Sequence, residues 1–162
     1  MSGLREKVLS YVSGKKGQQD GNGECWTLAE NALKSAGAKT SWELTPNKKN
    51  FGSADYVWGK KIAKADVAAG DILQFKDYSW RVDGSDGSWQ TMGYGHHTSV
   101  AIGQLNGLGT VRVLHQNVPD DNPNKKLVVE NGVPLRDATW TSEGVTYTLK
   151  VKGTVSVYTP IK

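Results

Sequence analysis

Gly21-Asn22-Gly23-Glu24-Cys25-Trp26-Thr27-Leu28-Ala29 is the stretch on which the fold turns, because it sets the only cysteine where a glycine-rich loop becomes a helix. Apolar residues recur at Trp26, Ala29, Leu33 and Ala36, which is helical spacing over Glu24 to Ala36, and Gly37 supplies a stop. Asn22 or Gly23 is the expected N-cap. A thiol in the first turn meets unpaired backbone N–H groups and the positive end of the helix dipole. A thiolate with a pKa below the usual value of about 8.5 is therefore expected at Cys25. The plain alternative is a small buried hydrophobe, the usual fate of a lone cysteine.

Outward from that helix, the chain of 162 residues is long enough for a core, and one domain over 1–162 is expected. A hydrophobic content of 37% with 19 glycines and 6 tryptophans describes a loop-rich globular protein rather than a disordered one. No run approaches the roughly 20 apolar residues of a membrane span. Met1 to Ser13 alternates charge with apolar residues, unlike a secretory signal. A single cysteine allows no internal disulfide, so a reducing, cytoplasmic setting is expected. The net charge of +4, from 20 basic and 16 acidic residues, is spread over separated pairs such as Lys15-Lys16, Lys48-Lys49, Lys60-Lys61 and Lys125-Lys126. That pattern argues against a nucleic-acid partner and for solvated faces.

Upstream, Leu4, Val8, Tyr11 and Val12 form one stripe of a short amphipathic helix ending at Gly14. Asp20-Gly21-Asn22-Gly23-Glu24 alternates oxygen-bearing side chains as a calcium loop does, but lacks the glutamate at the twelfth position, and no metal is expected there. Downstream, Trp42, Phe51, Tyr56 and Trp58 fall in a segment without period and are expected to cover a sheet edge. Ala69-Gly70-Asp71 is a turn before a short strand, Ile72 to Phe75, while Asp77 to Tyr94 reads as a long loop or irregular hairpin. The clearest hairpin runs from His97 to Asn117 about a turn at Asn106-Gly107-Leu108-Gly109. Alternation puts His97, Ser99 and Ala101 on one face, and Val111, Val113, His115 and Asn117 on one face of the return strand. A register that joins these faces brings His97 opposite or next to His115 or Asn117. Further strands are expected at Lys126 to Val129, Val145 to Lys150 and Thr154 to Tyr158, with Gly132 and Gly153 as turns.

A thiol nucleophile needs a base, and the base needs an orienting group. Cys25, then His97, then His115 or Asn117 supply these residue types in a papain-like order, with His96 the alternative base. The Cys25 N–H, with Gln18, Gln19 or Asn22, would serve a developing oxyanion, and Trp26 would touch substrate. A Cys25–His97–His115 zinc site matches zinc's donor preferences but lacks the close-spaced ligand pairs of most structural sites.

Gly23-Glu24-Cys25-Trp26-Thr27-Leu28-Ala29, Ala69-Gly70-Asp71-Ile72-Leu73-Gln74-Phe75, His97-Thr98-Ser99-Val100-Ala101-Ile102 and Leu114-His115-Gln116-Asn117 resemble the successive motifs of papain-like cysteine hydrolases of the CHAP and NlpC type. The chain is similar, over residues 4 to 160, to the cysteine-peptidase-like domain at the C-terminus of certain fungal cortical actin-patch proteins. The resemblance implies an α+β fold, with N-terminal helices packed on an antiparallel barrel-like sheet. It also implies a Cys25 nucleophile and a His97 base. CHAP-type members place a glutamate where His115 stands, and Asn117 fits their following asparagine. NlpC-type members use a histidine in this region. The implied activity is hydrolysis of a peptide or other amide bond through a thioester, without a cofactor. The alternative is a non-catalytic domain that keeps the scaffold and binds a protein partner. A monomer is expected, with no membrane contact.

Overall fold

The computed structural model describes residues 3–53, 55–118 and 126–162, so Pro119 and Lys125 lie outside the description. Helix α1 (Leu4–Gly14) buries Val8 and Val12. Helix α2 (Cys25–Ala36) buries a broader stripe, including Leu28, Ala29, Ala32 and Leu33, and ends at Gly37 in the left-handed region (φ 73°), as a helix stop requires. Its N-cap is Glu24, whose side chain makes no capping bond. A one-turn helix α3 (Ser41–Leu44) carries a Thr40/Glu43 capping box. It is anchored from α2 by buried Glu30, which accepts the Ser41 N–H at 2.7 Å and the Trp42 N–H at 3.2 Å. No helix among the described residues is long and apolar enough to cross a membrane.

The strands are β1 (Lys60–Ile62), β2 (Ile72–Gly84), β3 (Trp89–Ala101), β4 (Thr110–His115), β5 (Val129–Pro134), β6 (Ala138–Ser142) and β7 (Val145–Thr159). They form one antiparallel sheet in the order β1-β7-β2-β3-β4-β5, with β6 on β7. The architecture is α+β, as the resemblance implies. One face of the sheet takes the helices: Ile72, Val100 and Leu114 pack with α1, α2 and Trp58. The other face curls on itself around Leu73, Phe75, Tyr94, Val111, Val113 and Val157. Tyr78 draws the curl together by donating its hydroxyl to the Pro134 carbonyl at 2.6 Å. Arg5 forks onto buried Asp71 at 2.6 and 2.9 Å, tying α1 to the start of β2.

Of the two readings of Asp77 to Tyr94, the irregular hairpin holds: β2 and β3 pair from Ile72↔Val100 to Asp83↔Trp89, with Asp77 and Gly95 skipped. It escapes a period-two reading because β2 gains one residue on β7 between Lys76 and Ser79, with Asp77 in the left-handed region (φ 49°). Leu73 and Phe75 before the bulge therefore share a core with Tyr78 and Trp80 after it. Gly153 is likewise inside β7; a Cβ there would stand 2.0 Å from the Asp77 carbonyl oxygen, so glycine lets the bulge approach. Gly132 lies within β5, and β6 has no counterpart among the expected strands. Trp58 is fully buried against the helices rather than covering an edge, its indole N–H donating to Gln74 Oε1 at 2.8 Å.

Candidate functional site

The loop that delivers Cys25 is held from below by Gln116. This side chain is fully buried; its carbonyl accepts the Asp20 N–H at 3.0 Å, and its amide donates to the Asp20 and Glu24 carbonyls at 3.0 and 2.8 Å. Asn22 Oδ1 accepts from the Glu24 N–H at 3.1 Å and from the Thr27 hydroxyl, closing the loop onto the first turn of α2. Above, the Glu24 carboxylate is gripped by Lys126 Nζ and Asn117 Nδ2, each at 2.9 Å. Sequence reasoning passed over Gln116. Its only signal is position: it shares with Leu114 the alternate phase of the return strand, the one that faces the helices.

Cys25 lines an open cleft of about 350 Å³ together with Asn22, Trp26, Phe51, Tyr56, His96 and Asn117. The wall is aromatic: Phe51 meets Trp26 edge-on at 5.9 Å and Tyr56 at 5.1 Å, and Trp42 extends the cluster at 4.8 Å from Phe51. Tyr78 and Tyr94 of the β2–β3 hairpin are not part of this wall; they lie in the sheet's inner core. The expected depressed thiol pKa is overturned as well. Burial pushes the Cys25 thiol up and outweighs the N–H groups of Thr98, Trp26 and Cys25 itself that favour the anion, while the Glu24 carboxylate adds to the rise.

The histidines divide between the two faces of β3. His96 lines the Cys25 cleft, rests against Tyr56 (5.5 Å between rings) and has Nε2 3.6 Å from Asp55 Oδ1. Lys76 also holds Asp55, at 3.2 Å. His97 turns into the curled interior, 4.5 Å from the Tyr94 ring and 6.1 Å from Phe75. Its Nε2 is 3.0 Å from His115 Nδ1, and His115 Nε2 is 2.8 Å from Asn131 Oδ1. With the Asn131 oxygen accepting, His115 is protonated at Nε2 and its Nδ1 accepts from His97, so the chain needs no charge. Burial, and then the neighbouring His115 and His96, hold the His97 pKa well below its ordinary value.

The expected meeting of His97 and His115 is therefore present, on the face of β3 that lines the curled core. Alternation joins side chains into faces; it does not say which face the cysteine helix covers. Cys25 itself meets β3 through the Thr98 main-chain N–H, one residue from His97, and no group of three or more His, Cys, Asp or Glu side chains among the described residues is placed to hold a metal ion. Asn117 reaches the cleft but turns to Glu24 rather than to a histidine. Gln19 donates to the Gly21 carbonyl at 3.0 Å and Gln18 to that of Gly14 at 3.5 Å. Asn22 and Trp26 line the cleft, with the Trp26 indole N–H donating to Ser41 Oγ at 2.8 Å.

Residues 3–162 match the AIM3/BBC1 cysteine proteinase-fold domain. The chain is 30% identical over 143 residues to "Altered inheritance of mitochondria protein 3" of Debaryomyces hansenii, an alignment covering 83% of this chain and 15% of that protein. No solved structure matches. The chain, with helices on one face of an antiparallel curled sheet and a cysteine opening α2, belongs to the AIM3/BBC1 cysteine proteinase-fold domain family.

Proposed function

We propose that this domain binds an extended peptide segment of a protein partner in the Cys25 cleft and does not cleave it. One observation carries the reading: the space beside Cys25 is walled by the aromatic rings of Trp26, Phe51 and Tyr56. The raised Cys25 pKa acts in the same direction, since a protonated thiol is a poor nucleophile at neutral pH. What remains is a cleft of about 350 Å³ with an aromatic wall and polar groups at its rim, the composition of a side-chain pocket.

Peptides displayed on phage and selected on the immobilised domain provide the test. Phe51→Ala is expected to weaken a selected peptide at least about tenfold, the usual loss for an aromatic anchor. Cys25→Ala should bind about as well as the parent, and mass spectrometry should find the peptide intact after long incubation. Cleavage of the peptide, or full affinity in Phe51→Ala, overturns the reading.

A second reading, hydrolysis through His96, is favoured by a specific observation: His96 shares the cleft with Cys25 and has Asp55 3.6 Å from its ring. The rate of Cys25 alkylation by iodoacetamide against pH separates the two. Binding without chemistry predicts one rise, with a midpoint above that of a free thiol and unchanged in His96→Ala. Hydrolysis predicts a second, lower-pH limb that His96→Ala abolishes.

A further inference from the structure

Among the described residues, the outer part of the β2–β3 hairpin has no neighbouring strand on its β3 side. Strand β4 joins β3 only at Val100 and Ala101, so among the described residues Trp89 to Gly93 has β2 as its one strand neighbour. Natural edge strands are blunted by charge, proline or a covering element. Trp89-Gln90-Thr91-Met92-Gly93-Tyr94-Gly95 contains no charged residue and no proline. Two of its side chains are large, apolar and exposed: Trp89 at 63% and Met92 at 41%.

The hairpin closure fixes which main-chain groups are on offer. The Gly84 N–H donates to the Ser88 carbonyl at 2.8 Å, so in the ladder that follows Gln90 and Met92 bond toward β2. By the alternation of antiparallel pairing, the N–H and C=O groups of Trp89, Thr91 and Gly93 point outward.

We propose that this edge pairs antiparallel with the same edge of a second copy of the chain, about a two-fold axis at Thr91. A two-fold contact requires a surface that complements itself, and this stretch does. Thr91 meets Thr91 of the second copy, a favourable cross-strand pair. Trp89 meets Gly93, so the exposed indole lies over a position with no side chain, an arrangement known to stabilise edge glycines. Gly93 is bare for its own reasons: a Cβ there would stand 2.7 Å from the Tyr78 carbonyl oxygen. Gln90 meets Met92, and no like charges face each other. The apolar side chains Trp80 and Val82 of β2 and Met92 of β3 share a face, which would continue unbroken across the junction. A foreign strand would find the same hydrogen bonds but not this matching of ring to glycine.

Sedimentation velocity of the whole chain over about a hundredfold concentration range tests the pairing, because association responds to mass action. The expected result is a monomer–dimer equilibrium that Thr91→Lys weakens about tenfold or more, by setting two ammonium groups on the axis. The thermal unfolding of dilute Thr91→Lys should match the parent, since the substitution removes no bond within the chain. The Cys25→Ser/Thr91→Cys double variant should form a disulfide-linked dimer on mild oxidation, the opposing Cα atoms being about 5.5 Å apart in such a pair. Cys25→Ser/Thr146→Cys, with its thiol on the far side of the sheet, should not. A monomer at every concentration overturns the proposal, as does a dimer indifferent to Thr91→Lys or equal cross-linking at residue 146.

Discussion

Replacing Gln116 with leucine is expected to lower the unfolding free energy by about 3 kcal/mol or more, a large loss for a substitution that keeps the side-chain volume. The leucine would leave the Asp20 N–H and the Asp20 and Glu24 carbonyls without their partner in a site that is fully buried. Each such orphaned group costs about 1–3 kcal/mol, less where water reaches it. The damage should centre on the loop before α2. Hydrogen exchange at Asp20 and the rate of Cys25 alkylation should both rise more than global unfolding accounts for. Denaturant titration showing a loss under about 0.5 kcal/mol would mean that the loop holds its shape without Gln116.

Acidification from pH 7 to 5 is expected to destabilise the fold through His97. Its folded pKa is held well below the ordinary value by burial, so in this range the unfolded chain binds a proton that the folded chain refuses. Stability is then fully present above the unfolded pKa, about 6.5, and falls as pH drops below it, with a limiting slope of about 1.4 kcal/mol per pH unit for one proton. The window between about pH 6.5 and 5 lies above the ordinary carboxylate range, which keeps acidic residues out of the slope. His97→Asn should be less stable at neutral pH, because His115 Nδ1 loses its donor, yet flatter with pH. Equal slopes for parent and variant would show that His97 takes up its proton in the folded state as readily as in the unfolded one.

The cysteine helix was legible because its apolar stripe keeps one period from Trp26 to Ala36 and Gly37 stops it. Pairing of the His97 and His115 faces was legible for the same kind of reason, from alternation alone. The face that meets α2 was not, since Thr98 to Ala101 are buried on both sides and offer no polar–apolar contrast to choose by. The outer hairpin was hidden by the phase step at Asp77 and by Gly93 and Gly95, residues that read as turn formers and here serve close backbone approach and an irregular ladder. Gln116 was hidden because a buried glutamine has no periodic signature; only the three main-chain groups it satisfies disclose its role.

The bulge opposite Gly153 also partitions the chain's cooperativity. On one side of it the strands are clamped between helices and curled core; on the other, β6 and the far parts of β2, β3 and β7 carry mainly exposed and half-buried side chains. Opening that outer ribbon uncovers little apolar surface, so its free energy lies well beneath that of global unfolding. The ribbon can therefore fray and re-form, or accept substitutions, while the Cys25 end of the molecule stays intact.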